Sequence, residues 1–152
     1  VNGVVHSTKP LIYQSNSINN FSFTFKDGKI VDYTAEEGLD ILKELIETDE
    51  GSQYLGEIAL VDHYSPISQS HQIYFETLFD ENASCHFAFG KAYPTCLKNG
   101  ASLSQEQLAA NGVNDSLIHV DFMIGTADLE ITGITAAGEK IPVFANGNFV
   151  SI

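Results

Sequence analysis

The sequence is poor in cysteine, in basic residues and in long apolar runs. Its two cysteines, Cys85 and Cys96, are too few for a disulfide scaffold and lack the C-x-x-C spacing of a structural zinc site. Seven basic residues against twenty acidic ones give a formal charge of -13, so we expect no nucleic-acid partner and no anionic membrane partner. No apolar stretch reaches the ~18 residues that a transmembrane helix needs.

The beginning of the chain has neither a methionine nor the charged and apolar segments of a signal peptide. We therefore expect these residues to be a piece of a longer chain. Because Cys85 would be easily oxidised if exposed, we also expect a protein of the reducing cytoplasm. The 152 residues, of which 43% are hydrophobic, are enough for one domain with a substantial core. Residues 1–152 are accordingly predicted to form a single domain.

Hydrophobic periodicity predicts an α+β domain in which strands outnumber helices. Two alternating segments, residues 21–25 and 30–33, flank Asp27-Gly28 and predict a hairpin. The other predicted strands cover residues 4–6, 57–61, 86–89, 117–124, 128–132, 141–145 and 148–150, and residues 73–78 fit a short helix or a strand. Capping-box patterns predict helices over residues 35–48 and from Ser104 to about residue 111. We expect two or three helices on a mostly antiparallel or mixed sheet, whose C-terminal strands could close into a barrel.

Carboxylates and imidazoles are concentrated in residues 80–86 and in the motif formed by His119 and Asp121. Successive side chains on a strand point to opposite faces, so His119 and Asp121 share one face. Glu81 and His86, five residues apart, are able to meet that pair across a loop. Each residue alone has a structural explanation, such as a capping acid or a hydrogen-bonded core histidine. Together they indicate a metal site.

Four longer strings of the sequence carry a resemblance to a known family. They are residues 55–61 (LGEIALV), 65–68 (SPIS), 78–86 (LFDENASCH) and 114–125 (NDSLIHVDFMIG). These strings resemble the C-terminal part of metal-dependent aminopeptidases of the aminopeptidase S and aminopeptidase T group, which includes PepS. The resemblance implies that the chain is the C-terminal metal-binding part of a larger two-domain enzyme. It further implies cleavage of N-terminal amino acids from peptides, two divalent ions such as zinc, cobalt or magnesium, and a homodimer.

The same resemblance gives roles to six residues. The five expected metal ligands are Glu57, Glu81, His86, His119 and Asp121, and the expected catalytic tyrosine is Tyr93. Imidazole and carboxylate donors without a thiolate suit zinc, cobalt or manganese and leave room for exchangeable water. Two ions ~4 Å apart would hold a hydroxide that attacks the scissile carbonyl, while Tyr93 donates a hydrogen bond to the oxyanion. Glu57 and Glu81 are both candidates for the general base.

A sixth ligand of the family, a glutamate, has no counterpart among these residues. We therefore expect weak metal occupancy and little peptidase activity from the chain alone. Two alternatives remain open at the level of sequence. A mononuclear iron oxygenase could use His119 and Asp121 with a second histidine, although no histidine follows Asp121. A β-rich binding or dimerisation module would carry the same acids for solubility and bind no metal.

Overall fold

A computed structural model of the chain describes residues 1–150 and has the predicted α+β fold. Every strand pairing in this range is antiparallel. The strands are β1 (Gly3–His6), β2 (Leu11–Tyr13), β3 (Asn16–Ile18), β4 (Ser22–Lys26), β5 (Lys29–Thr34), β6 (Leu55–Ala59), β7 (His86–Gly90), β8 (His119–Met123), β9 (Ile131–Ile134), β10 (Lys140–Ala145) and β11 (Asn148–Phe149). The helices are α1 (Leu39–Ile46), α2 (Pro66–Gln69), α3 (Thr77–Asp80) and α4 (Gln105–Ala110), with 3-10 helices at Gly51–Gln53, Glu81–Ala83, Pro94–Cys96 and Gly100–Ser102.

The strands form three sheets of three strands each and one separate hairpin. β4 lies between β1 and β5 in the N-terminal sheet, and β7 lies between β6 and β8 in the central sheet. β10 lies between β9 and β11 in the C-terminal sheet, while β2 and β3 form the hairpin. The predicted closure of a barrel is wrong for the described residues, because the C-terminal strands form an open sheet with too few strands to close.

Two tight turns join neighbouring strands, one of them at the predicted Asp27-Gly28 pair. Asp27 and Gly28 have φ angles of 52° and 82° between β4 and β5. Asn146 and Gly147, between β10 and β11, have φ angles of 51° and 72°. Aspartate, asparagine and glycine adopt this left-handed conformation more readily than other residues, and paired positive φ angles match the twist of adjacent strands. Local chemistry therefore determines both hairpins.

Helix α1 begins at Leu39, four residues later than its capping-box pattern predicted. The backbone N–H groups of Glu36 and Glu37 instead donate to the carbonyl of Asn19, at 3.1 and 3.5 Å. Gly38 then precedes the helix with a left-handed φ of 74°, and a Cβ there would lie 2.8 Å from a main-chain oxygen. Hydrogen bonds to a distant segment therefore outweigh the local capping signal.

The described residues contain four α-helices where two or three were expected, because α2 and α3 are additional single turns. Pro66 begins α2, and the hydroxyl of Ser65 accepts a hydrogen bond from the N–H of Ser68 at 3.1 Å. Asp80 at the end of α3 accepts a hydrogen bond from the N–H of Tyr74 at 2.9 Å. None of the four helices has the length and apolar character needed to cross a lipid bilayer.

A cluster of buried phenylalanines joins the N-terminal sheet to one face of the central sheet. Phe23 of β4 makes edge contacts with Phe89 of β7 and Phe122 of β8, at centroid separations of 5.6 and 5.1 Å. Leu42 and Leu45 of α1 complete this side of the core. Because Phe87 and Phe89 alternate along β7, and Val120 and Phe122 along β8, the intervening side chains project from the opposite face.

Candidate metal centre

The face of the central sheet opposite the phenylalanines carries acids and imidazoles. Glu57 of β6 lies opposite Ala88 of β7, and Ala88 lies opposite Asp121 of β8. Cross-strand partners share a face, so the two carboxylates flank the small, fully buried Ala88. His86 and His119 are each two residues from a member of this row and project from the same face. Four of the five predicted ligands therefore meet above Ala88.

The carboxylate of Glu57 lies between two imidazoles. Its Oε1 is 3.5 Å from Nε2 of His86, and its Oε2 is 3.5 Å from Nε2 of His119. Oδ1 of Asp121 lies 3.1 Å from Nε2 of His119. Donor atoms of Glu57, His86 and Asp121 all lie within 4.8 Å of one another, which allows them to share one cation.

Main-chain carbonyl groups orient both histidines. Nδ1 of His86 lies 3.1 Å from the oxygen of Ser84, and Nδ1 of His119 lies 2.6 Å from the oxygen of Lys91. An imidazole that donates its Nδ1–H to a carbonyl keeps the Nε2 lone pair for a metal. Both Nε2 atoms point at Glu57, so the arrangement fits the chemistry of a divalent cation bound by nitrogen and oxygen.

The hydrogen bond with Asp121 is the largest influence on the charge of His119. This hydrogen bond, the carbonyl of Lys91 and the charge of Glu57 raise the pKa of His119 to about 9, although burial acts in the opposite direction. Without a metal the imidazole is therefore protonated at neutral pH and balances the neighbouring carboxylates. A cation that binds Nε2 takes the place of that proton.

Glu81, the fifth predicted ligand, begins the 3-10 helix that follows α3. Burial is the main cause that raises the pKa of Glu81, and the charges of Asp121 and Glu57 raise it further. The imidazoles of His86 and His119 act in the opposite direction. Glu81 is therefore electrostatically coupled to all four residues above Ala88, although it lies outside the 4.8 Å group of donors.

Tyr93 borders the acids and imidazoles on their open side. Its ring centroid is 4.7 Å from that of His119, and the residue is 50% exposed. Burial and then the charges of Asp121, Glu57 and Glu81 raise the pKa of Tyr93. The phenol consequently keeps its proton at neutral pH and can donate a hydrogen bond to a molecule bound beside His119.

The thiol of Cys85 lies outside this group of donors. The residue is buried, and its thiol lies 3.4 Å from the carbonyl oxygen of Val61. Burial raises the pKa of the Cys85 thiol, which favours the neutral form over the thiolate that a metal requires.

The family of the chain follows from comparison with known proteins. The sequence pattern of the family described as thermophilic metalloprotease (M29) matches residues 1–149. The chain belongs to the M29 metalloprotease family. This membership agrees with the resemblance seen in the sequence and with a centre of carboxylates and imidazoles on the central sheet.

Members of the M29 family with high similarity to this chain are named aminopeptidases. Aminopeptidase 2 of Geobacillus stearothermophilus is 59% identical over 149 residues, and aminopeptidase T of Thermus aquaticus is 39% identical over 150 residues. These matches cover 98% and 99% of this chain but 36% of each relative. The solved structure of wild-type AmpT from Thermus thermophilus superposes with a TM-score of 0.91 at 38% identity, covering 99% of this chain and 36% of that one. The chain thus spans 36% of the length of these relatives.

Proposed function

We propose that this chain is the C-terminal, metal-binding part of a two-domain metallo-aminopeptidase that removes N-terminal residues from peptides. The convergence of Glu57, His86, His119 and Asp121 on one sheet face carries the proposal. Membership of the M29 metalloprotease family and the names of the relatives support it. Glu81 is proposed as the fifth ligand contributed by this chain.

The proposed centre takes two divalent ions when complete, with zinc, cobalt or magnesium as the candidates. Such ions would supply the Lewis acidity that activates water and polarises the scissile carbonyl group. The residues of the chain hold the donors in place before binding. Glu57 directs Oε1 toward His86 and Oε2 toward His119. Main-chain carbonyls hold both imidazoles so that Nε2 faces Glu57.

Tyr93 and the surrounding acids are proposed to recognise the substrate. The protonated hydroxyl of Tyr93, on the open side of His119, is available to hydrogen-bond the carbonyl oxygen as negative charge develops on it. The α-amino group of a peptide is a cation and is attracted to a strongly acidic chain, whose formal charge is -13. The proposed substrates are therefore peptides with a free N-terminus.

Metal binding by this chain is tested directly by equilibrium dialysis against Co²⁺ or Zn²⁺. We expect the wild-type chain to bind metal weakly, because a sixth ligand is missing, and the variants His86→Ala and His119→Ala to lose most of that uptake. His6→Ala is the matched control, since His6 is exposed on β1 in a different sheet. Equal uptake by all four proteins would show that the histidines of the central sheet are not ligands.

Peptidase activity is tested by comparing this chain with the full-length protein on an aminoacyl anilide in the presence of Co²⁺. We propose that the 152-residue chain alone turns over little substrate, because the resemblance implies that a further glutamate ligand and a second domain complete the enzyme. Turnover by the full-length protein and not by the chain is the expected result. Comparable turnover by both would contradict the proposed incompleteness, and no turnover by either would contradict the aminopeptidase function.

Family membership favours this function over the two alternatives. An iron oxygenase and a metal-free binding module both lack support from the metalloprotease family to which the chain belongs. A homodimer, implied by the resemblance, and a cytoplasmic location, expected from the sequence, remain predictions. Sedimentation of the full-length protein tests the first of these.

A further inference from the structure

Strand β6 contains a β-bulge directly before Glu57. Leu55 lies opposite Phe89, and a regular antiparallel ladder would then place Glu57 opposite Phe87. The register instead shifts by one residue, so Glu57 lies opposite Ala88. Phe87 contacts the phenylalanine cluster on the other face of the sheet. Without the bulge, the carboxylate of Glu57 would therefore point away from both imidazoles.

Gly56 is the residue that accommodates the bulge, and it packs against the main chain of the neighbouring segment. A Cβ on Gly56 would lie 2.4 Å from the carbonyl oxygen of Gly90 and 2.7 Å from that of Lys91. Both oxygens already accept hydrogen bonds of 2.6 Å, from Nδ2 of Asn114 and from Nδ1 of His119 respectively. A side chain at position 56 would therefore displace the carbonyl group that orients His119.

We propose that Gly56 is a positioning residue of the metal centre, which acts on Glu57 through the bulge and on His119 through the carbonyl of Lys91. The inference rests on the proposed function, because it assumes that Glu57 and His119 bind a cation. The requirement for glycine is one of space, since φ of Gly56 lies outside the left-handed region. The absence of a Cβ at position 56 therefore allows both Glu57 of β6 and His119 of β8 to keep their directions.

The test compares Gly56→Ala with the matched control Gly133→Ala in this chain. Gly133 lies in β9 of the C-terminal sheet, where a Cβ would lie 3.3 Å from a side-chain atom of Val143 and, at an ordinary contact distance of 3.5 Å, from the carbonyl oxygen of Ile141. We expect Gly56→Ala to weaken Co²⁺ binding by about 10- to 100-fold and to change the ligand-field absorption of the bound cobalt. In the metal-free chain, ¹⁵N-imidazole spectra should show a shifted Nδ1–H signal of His119. Gly133→Ala should match the wild type in all three measurements.

A second variant covers the case in which Gly56→Ala does not fold. Asn114→Ala removes hydrogen bonds to the carbonyls of Gly90 and Gly51 and so loosens, without adding volume, the main chain against which Gly56 packs. It should also move the His119 signal and weaken Co²⁺ binding. If Gly56→Ala folds and matches the wild type in affinity, absorption and imidazole signals, this inference is overturned. If Gly56→Ala does not fold, the same result for Asn114→Ala overturns it. Either result leaves the proposed metal function unaffected. Absence of Co²⁺ binding by the wild-type chain would overturn both.

Discussion

The hydrogen bond between His119 and Asp121 determines the pH range in which the metal-free centre retains a proton. It is the largest cause that raises the pKa of His119 to about 9 from an ordinary value of 6.5. A cation requires the Nε2 lone pair, so the affinity for Co²⁺ should increase as the pH rises between these two values. In Asp121→Asn, an NMR titration of the metal-free chain should give a pKa of His119 much closer to 6.5. A value that stays near 9 would contradict this explanation.

The shared face of His119 and Asp121 was predictable from the sequence, whereas the groups that orient the candidate ligands were not. The period of two along a strand placed His119 and Asp121 on one face, and the resemblance added the remaining ligands. The hydrogen bond between Nδ1 of His119 and the carbonyl of Lys91 could not be predicted, because every residue has a carbonyl group and the two residues are 28 positions apart. Gly56 directly before Glu57 was a visible signal, although only the register shows that it marks a bulge.

Asp49 links the end of α1 to the segment that leads into β8. Its carboxylate accepts hydrogen bonds from the N–H of Leu117 at 2.6 Å, the hydroxyl of Ser116 at 2.9 Å and the N–H of Ser52 at 2.7 Å. The bond from Leu117 is the first of the causes that lower the pKa of Asp49 below 3.8. Because its pKa is lowered by folding, Asp49 stabilises the fold at pH values above its pKa in the unfolded chain. This stabilisation is lost as the pH falls through its pKa in the folded chain.

Replacing Asp49 by asparagine tests this link between elements. Asp49→Asn should reduce the free energy of unfolding in urea by about 1–2 kcal/mol at neutral pH, because charged hydrogen bonds are stronger than neutral ones. The free energy of the variant should also fall less steeply than that of the wild type as the pH drops below 3.8. Parallel pH profiles for the two proteins would contradict a role for the Asp49 charge.

Helix α4 depends on its own capping box. The hydroxyl of Ser104 accepts from the N–H of Gln107 at 3.3 Å, and Oε1 of Gln107 accepts from the N–H of Ser104 at 2.9 Å. Ser104→Ala removes one of these bonds and should lower the free energy of unfolding by about 1 kcal/mol, measured in urea. Ser104→Asp retains a capping oxygen and should recover most of the loss. Equal stability of the alanine and aspartate variants would contradict the capping role.

The same local pattern predicted α4 correctly and placed the start of α1 too early. Only Leu108 of α4 is buried, so little outside the helix competes with its cap. The residues before α1 instead form hydrogen bonds with Asn19, and the chain cannot satisfy both arrangements. Capping patterns therefore predict a helix boundary well where no other segment forms hydrogen bonds with the backbone at the start of the helix.

The fold as a whole places its core and its candidate centre on opposite faces of one three-stranded sheet. The preference for antiparallel pairing was predictable, since short turns join several neighbours. The β2–β3 hairpin has no counterpart among the predicted strands. Which separate segments pair was not predictable from strand patterns, and the expectation of a barrel failed for that reason. We therefore expect packing on one side of the central sheet to affect the geometry of the donors on the other.

This dependence predicts that a core substitution will alter metal binding in the folded chain. Phe23 contacts Phe89 and Phe122, which directly follow Ala88 and Asp121 in the sequence. Phe23→Leu should cost about 1–2 kcal/mol of unfolding free energy and, well below its unfolding temperature, should also weaken Co²⁺ binding measured by calorimetry. The control Phe144→Leu alters a buried ring of the C-terminal sheet and should lose stability while keeping its affinity for Co²⁺, because Phe144 lies outside the phenylalanine cluster behind the centre. Unchanged affinity in Phe23→Leu would mean that the ligands hold their geometry independently of the core.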